Sequence, residues 1–437
     1  MPYRTIPGSA SRYALLAFDA EGSERSDDPD ARGSVFSERI LADMTAATPT
    51  DVFILSHGWK GDVPAAIEQY DRWIAAMDRS GGRAEAERQR SGFTPFRIGV
   101  HWPSQPWGDE ELGAGGASFA PVDPVEAYVE RLGDRPGLRQ AIRTVFAAAA
   151  REPAAERLPA EAEDAYRQID NLLAEVGSAG AAPDDDREPF DPQAYFEAAH
   201  EDAETSFGSG NDLGGILAPL RQLSFWKMKQ RGKVVGEGGM HSFLHALQAS
   251  VGEETRIHLM GHSFGCIVTS AMLCGPGTGG TRAKSIASLS LVQGALSHWS
   301  FCGDIPVSPG TPGYFNRLVA DRMVAGPTVT TRSIYDTAVG RFYPLGAGVA
   351  NQIAFGPEGM PRYGAVGAFG AQALDPEAVE LEMRQADQPY DFEAGRVYNL
   401  DASRFIRNGD GASGAHNDID GPEVAHMVWS AALARKP

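Results

Sequence analysis

Arg256-Ile-His-Leu-Met-Gly-His-Ser-Phe-Gly-Cys-Ile-Val-Thr-Ser270 decides how the rest of this chain is read. Ile257, Leu259 and Met260 make a short apolar run behind the turn residues Gly252, Glu253 and Glu254, the pattern of a strand buried in a parallel sheet. Cys266, Ile267, Val268, Ala271, Met272 and Leu273 then mark an apolar helix that stops at Gly275-Pro276-Gly277. Between the two, Gly261-His262-Ser263-Phe264-Gly265 has the Gly-x-Ser-x-Gly spacing of a sharp strand-to-helix elbow, which lifts the Ser263 hydroxyl clear of the sheet. The five-residue pattern alone is weak in a chain with 50 glycines. The strand before it and the helix after it give it weight. Both glycines have a steric reason: a side chain at 261 or 265 would strike the neighbouring strand or helix, and the elbow serine itself sits in strained backbone.

Outward from the elbow, strands alternate with helices. Apolar runs predict strands over 13–18, 51–56, 96–101, 285–293, 327–335 and 396–400. Helical spacing predicts helices over 35–46, 64–78, 224–250 and 424–433. This alternation implies an α/β fold with a mostly parallel central sheet flanked by helices. In such sheets reactive groups gather beyond the carboxyl ends of the strands. From 105 to 218 the alternation stops, and Ala-, Glu- and Arg-rich segments predict helices over 123–151, 153–176 and 191–205. The chain therefore divides into 1–104, a helical insertion over 105–218, and 219–437. In the insertion acidic residues far outnumber basic ones. Its helices read as solvated faces or as a cap or lid over the sheet.

The net charge of −19 disfavours nucleic acid and anionic membrane as partners. No apolar run reaches the ~20 residues that span a bilayer, and no basic start with an apolar segment marks a signal peptide. Three cysteines (Cys266, Cys274 and Cys302) are too few for a disulfide framework and suit a reducing cytoplasm. Neither a dinucleotide nor a phosphate-binding glycine pattern follows a strand, so no cofactor is expected. His241 and His245 stand four apart on a helix, but with no third ligand evident no metal is expected. Asn408-Gly-Asp-Gly and Asp418-Ile-Asp-Gly lack the spacing of a calcium loop.

These strand ends resemble the α/β-hydrolase superfamily in its bacterial serine esterase and lipase-like branch, over roughly 51–103 and 224–433. The resemblance implies a nucleophile at the elbow, followed along the chain by an acid and then a histidine: Ser263, Asp336 and His416. It also implies that His57-Gly58-Trp59 supplies half of an oxyanion hole through the Trp59 N–H, with His57, Gly58 and His262 bordering the substrate. A serine hydroxyl needs a base to take its proton, and the base needs a third group to orient it. His416 lies in the small-residue loop Gly414-Ala-His-Asn-Asp418 after the last strand, where a ring could reach the elbow. His426 and His298 are weaker candidates. Asp336 ends the strand over 327–335, and Asp304 and Asp401 are its rivals. The Phe264 N–H, at the start of the elbow helix, would donate to a developing oxyanion. The expected activity is cleavage of a small-molecule carboxylic ester. A thioesterase, amidase or peptidase would use the same residues, and a binding protein on a hydrolase scaffold is the reading from another class.

Overall fold

The structure is a computed structural model that describes residues 3–26, 35–58, 63–90, 92–104, 123–153, 155–174, 190–197, 215–277, 286–340, 361, 364–409 and 411–434. Among these, nine strands form one sheet. They are β1 (Tyr3–Thr5), β2 (Arg12–Ala17), β3 (Asp51–Ser56), β4 (Pro95–His101), β5 (Arg256–His262), β6 (Ser288–Val292), β7 (Thr328–Arg332), β8 (Val379–Glu382) and β9 (Val397–Asp401). Their order is β1-β2-β4-β3-β5-β6-β7-β9-β8, and every pairing is parallel except β1 with β2. The elbow strand β5 is central, with Met260 between Leu55 of β3 and Ser290 of β6.

A two-residue side-chain repeat sends alternate residues to opposite faces. Val52, Ile54, Ile98, Val100, Ile257, Leu259, Leu289 and Leu291 pack against the helices Phe36–Ala47, Ala218–Val235, His241–Ser250 and the elbow helix Gly265–Cys274. Phe53, Leu55, Met260, Val292, Val329 and Leu400 pack on the other face against Val63–Arg79 and Pro422–Leu433. With helices on both faces, β3 is buried along its whole length, which is why its sequence reads as an unbroken apolar run.

The helix expected over 224–250 starts six residues earlier and runs from Ala218 to Ser250, with one wider turn at Gly236–Met240. That turn is glycine-rich because the helix presses on the elbow helix: a Cβ on Gly236 would stand 2.5 Å from that of Ala271. The insertion holds helices Pro124–Leu132, Leu138–Arg151, Ala160–Ala174 and a turn and a half over 192–197. They enclose a core of their own, including Val129, Ile142, Val145, Tyr166 and Phe196. Leu220 and Leu223, from the first turns of Ala218–Val235, complete this core, whereas Met228 and Val235 of the same helix belong to the sheet. One continuous helix therefore joins the two cores.

Some elements depart from expectation. The stretch 123–151 is two helices, parted by Gly133 and Gly137, both with φ near +90°. β1, β8 and the helix Gly82–Gln89 were not expected. β1 has three residues, β8 is a partly exposed Val-Glu-Leu-Glu edge, and Gly82–Gln89 buries only Ala86. None carries enough apolar sequence to announce itself, and a charged edge strand is a usual guard against edge pairing.

Candidate active site

Ser263 sits between β5 and the elbow helix with φ +55°, the left-handed region that non-glycine residues rarely occupy. The two elbow glycines are required by contact rather than by φ. A Cβ on Gly265 would lie 2.2 Å from the Ser56 carbonyl oxygen of β3, and one on Gly261 would lie 2.6 Å from the Gly265 oxygen. The turn is tight on both sides. Gly58, past the end of β3, passes just as close, since a Cβ there would stand 2.4 Å from Cβ of Ser263.

The structure brings Ser263, His416 and Asp336 into series. Nε2 of His416 lies 2.8 Å from Oγ of Ser263, and Nδ1 lies 2.7 Å from Oδ2 of Asp336. The carboxylate can only accept, so Nδ1 carries the ring proton and Nε2 is left to accept from the serine O–H. All three side chains are buried. These groups are 153 and 80 residues apart along the chain.

Two loops at the carboxyl edge of the sheet hold the acid and the ring. Asp336 follows β7, and its Oδ1 accepts from the Val339 N–H at 3.1 Å. His416 lies in a short turn over Gly411–Asn417, and the Ala415 N–H donates to the Tyr335 oxygen at 2.9 Å. Gly414, with φ +51°, permits that closeness: a Cβ would meet the Tyr335 oxygen at 2.4 Å. Asp418 closes the loop from below, its Oδ2 accepting from the N–H groups of Arg407 and Asn408 and from the Asn408 amide. The faint calcium pattern in the sequence is thus a backbone clamp.

The other candidates go elsewhere. Asp304 accepts from the Gly310 N–H in its own turn, and Asp401 pairs with Arg332. His426, on the terminal helix, donates to the Gln388 carbonyl. His298 is buried beside Trp299 and Phe369, and burial pushes its ring down to about 3. His241 and His245 meet one another, Nε2 to Nε2 at 3.1 Å, and Nδ1 of His241 faces the Met272 carbonyl. Among the described residues no group of three possible metal ligands occurs.

Two rings expected to border the substrate have protein partners at both nitrogens. Nδ1 of His57 donates to the Gly58 oxygen at 2.8 Å, its Nε2 faces the Trp102 N–H at 3.4 Å, and the ring stacks on Trp102. Nε2 of His262 donates to the His416 carbonyl at 2.9 Å, and its Nδ1 accepts from the Gln69 amide at 3.1 Å. Both nitrogens of each ring are committed to protein, so neither is left to hold a substrate. Burial holds both rings neutral, His57 down at about 4 and His262 well below the usual imidazole value. His262 instead supports His416 from behind, ring centroids 4.8 Å apart.

Phe264 immediately precedes the elbow helix, where backbone N–H groups point toward the serine end. Trp59, expected as the other oxyanion donor, lies outside the described residues. Gln293 was not singled out as a site residue, yet its amide donates to Oδ2 of Asp336 at 2.7 Å. A polar side chain closing an apolar strand beside the elbow strand was its only mark in the sequence.

Comparison with protein-family models, curated proteins and solved structures finds no match in any of the three.

Proposed function

We propose that this protein is a serine hydrolase of the α/β-hydrolase kind that cleaves small carboxylic esters through an acyl-enzyme. The observation that carries the reading is the unbroken series from the Ser263 hydroxyl through His416 to the Asp336 carboxylate, set on a strained elbow at the carboxyl edge of a parallel sheet. The chain order, serine then acid then histidine, supports the hydrolase assignment.

In the proposed reaction Ser263 attacks the ester carbonyl as Nε2 of His416 takes its proton. Asp336 stabilises the imidazolium that forms. The Phe264 N–H, with the Trp59 N–H that the resemblance suggests, holds the oxyanion of the tetrahedral adduct. Collapse expels the alcohol, which takes the proton from His416 and leaves the acyl group on Ser263. Water, deprotonated by the same ring, then releases the acid. Three free, buried thiols support a reducing, cytoplasmic setting, and no helix of the described residues is long and apolar enough to cross a membrane.

The deciding experiment is Ser263→Ala, with turnover of a short p-nitrophenyl ester and fluorophosphonate labelling read in parallel. Both disappear while the melting temperature holds. A variant that still turns over the ester at the wild-type rate overturns the reading. A panel of matched esters, thioesters and amides then identifies the bond, through the ratio of rates.

A further inference from the structure

We infer that Gln293 is the positioning residue for the acid, holding the Asp336 carboxylate in register with His416; the inference rests on the proposed roles of Ser263, His416 and Asp336. The Asp336 side chain has no solvent exposure, so every lone pair it uses must find a donor in the protein. Oδ2 has two donors, Nδ1–H of His416 and Nε2–H of Gln293, each at 2.7 Å, and Oδ1 has the Val339 N–H. Without Gln293 the carboxylate keeps, among the described residues, the ring on Oδ2 and the Val339 N–H on Oδ1, and loses the second donor that fixes Oδ2 in line with the ring.

The orientation of the Gln293 amide is dictated by its neighbours. Oγ1 of Thr331 accepts from the Gln293 backbone N–H at 3.0 Å and donates its single proton to Oε1 of Gln293 at 2.8 Å. The remaining partner of Nε2 is the Gly367 carbonyl at 3.2 Å, which can only accept. Oε1 therefore faces Thr331, and both protons of Nε2 are spent, one on Gly367 and one on Asp336. The amide is fully satisfied with no alternative flip.

The backbone gives independent support. Gln293 has φ +46°, so two neighbouring strands each end in a left-handed, non-glycine residue, Ser263 after β5 and Gln293 after β6. Strain of this kind persists only where surrounding contacts over-determine it. Gly367 makes the contact possible, because a Cβ there would lie 2.7 Å from the Gln293 carbonyl carbon. A neutral donor also suits the task. It fixes the carboxylate without cancelling the negative charge that the imidazolium needs, as a lysine or arginine at 293 would.

The test is a double-mutant cycle on Gln293→Met and Asp336→Asn, read by p-nitrophenyl acetate turnover and by the rate of fluorophosphonate labelling. Gln293→Met lowers kcat and the labelling rate together by about ten- to a hundred-fold, the worth of one hydrogen bond to a charged group, and leaves KM unchanged. In the Asp336→Asn background the same change alters labelling by less than about two-fold, because the carboxylate it served is gone. Thr331→Val, which frees the amide and also removes the acceptor of the Gln293 backbone N–H, gives a smaller loss in labelling per folded molecule with the same dependence on Asp336, and it carries the test if Gln293→Met does not fold. Wild-type kcat in a folded Gln293→Met protein overturns the inference alone. So does a loss that persists in full in the Asp336→Asn background, which marks general damage. A wild-type protein that the probe does not label at Ser263 removes the hydrolase reading, and the inference with it.

Discussion

A serine–histidine–aspartate series lies at each end of strand β5, and the surroundings of the two differ. At the carboxyl end Ser263, His416 and Asp336 are joined at 2.8 and 2.7 Å. At the amino end Ser288 faces Nδ1 of His258 at 2.9 Å, and Nε2 of His258 faces Oδ1 of Asp51 at 3.0 Å. The residue types and spacings match, with the ring reversed. The differences lie around them. Ser288 sits in a regular strand as the register partner of His258, whereas Ser263 stands on a strained turn at the start of a helix. Asp51 is paired with Arg90, so its charge is spent on a cation, whereas the Asp336 carboxylate accepts from neutral amide and backbone donors besides the ring. The space beside His258 and Ser288 is a void of about 10 Å³, lined also by Phe53, Met77 and Val428, which holds a water at most. Hydrogen-bond geometry is common to both ends. Strain and uncancelled charge are not.

The largest expected contrast is between the two serines. Ser263→Ala removes ester turnover by a factor on the order of 10⁶. Ser288→Ala leaves turnover per folded molecule unchanged, and equal losses in the two variants would break the contrast. The acids separate next. Asp336→Asn lowers kcat by about 10⁴ through loss of the correct tautomer, with little change in the melt. Asp51→Asn keeps its rate but costs about 3 kcal/mol, because a buried pair is broken and Arg90 keeps, among the described residues, only the Ala432 carbonyl; urea unfolding measures this.

Acid provides a third contrast. Burial pushes His57 and His258 down to about 4 and His298 to about 3. Between the unfolded value near 6.5 and these folded values the unfolded chain binds more protons, so stability is full above pH 6.5 and falls as the pH drops toward 4. Each ring that titrates near 4 in the fold withdraws roughly 3 kcal/mol over that window. Asp51 extends the loss further down. Burial alone would raise its carboxyl, but hydrogen bonds from His258 and Arg90 outweigh burial and hold it at about 2, so its contribution vanishes between about pH 4 and 2. Urea midpoints measured from pH 7 to 4 fall steeply, and His258→Gln makes the slope shallower. The smallest effect is expected at His262: His262→Phe lowers kcat by about ten-fold by releasing the His416 carbonyl, one hydrogen bond's worth, while the stability of the amino-end series is untouched. Turnover and urea melts on the same preparation separate the two.

The central strands were legible to within a few residues because burial on both faces demands an unbroken apolar run, as in Asp51–Ser56. The elbow was legible because tight contact leaves no room for side chains at 261 and 265. His416 and Asp336 could be placed as strand-end loop residues, although their approach to Ser263 was not readable locally. The helical insertion was legible as helix but not in its breaks, since Gly133 and Gly137 act through backbone angles that apolar spacing does not record.

What the amino-acid order determined alone is the set of elements and the nature of the turn at Ser263, because propensity, apolar period and glycine sterics act over a few residues. Only the tertiary structure decided the partners: that His262 meets the His416 carbonyl, that Gln293 meets Asp336, and that Asp51, His258 and Ser288 form a series of their own. The physical reason is range. A hydrogen bond is settled within an ångström, but its two ends here lie 30 to 207 residues apart, and only the packed sheet brings them within reach.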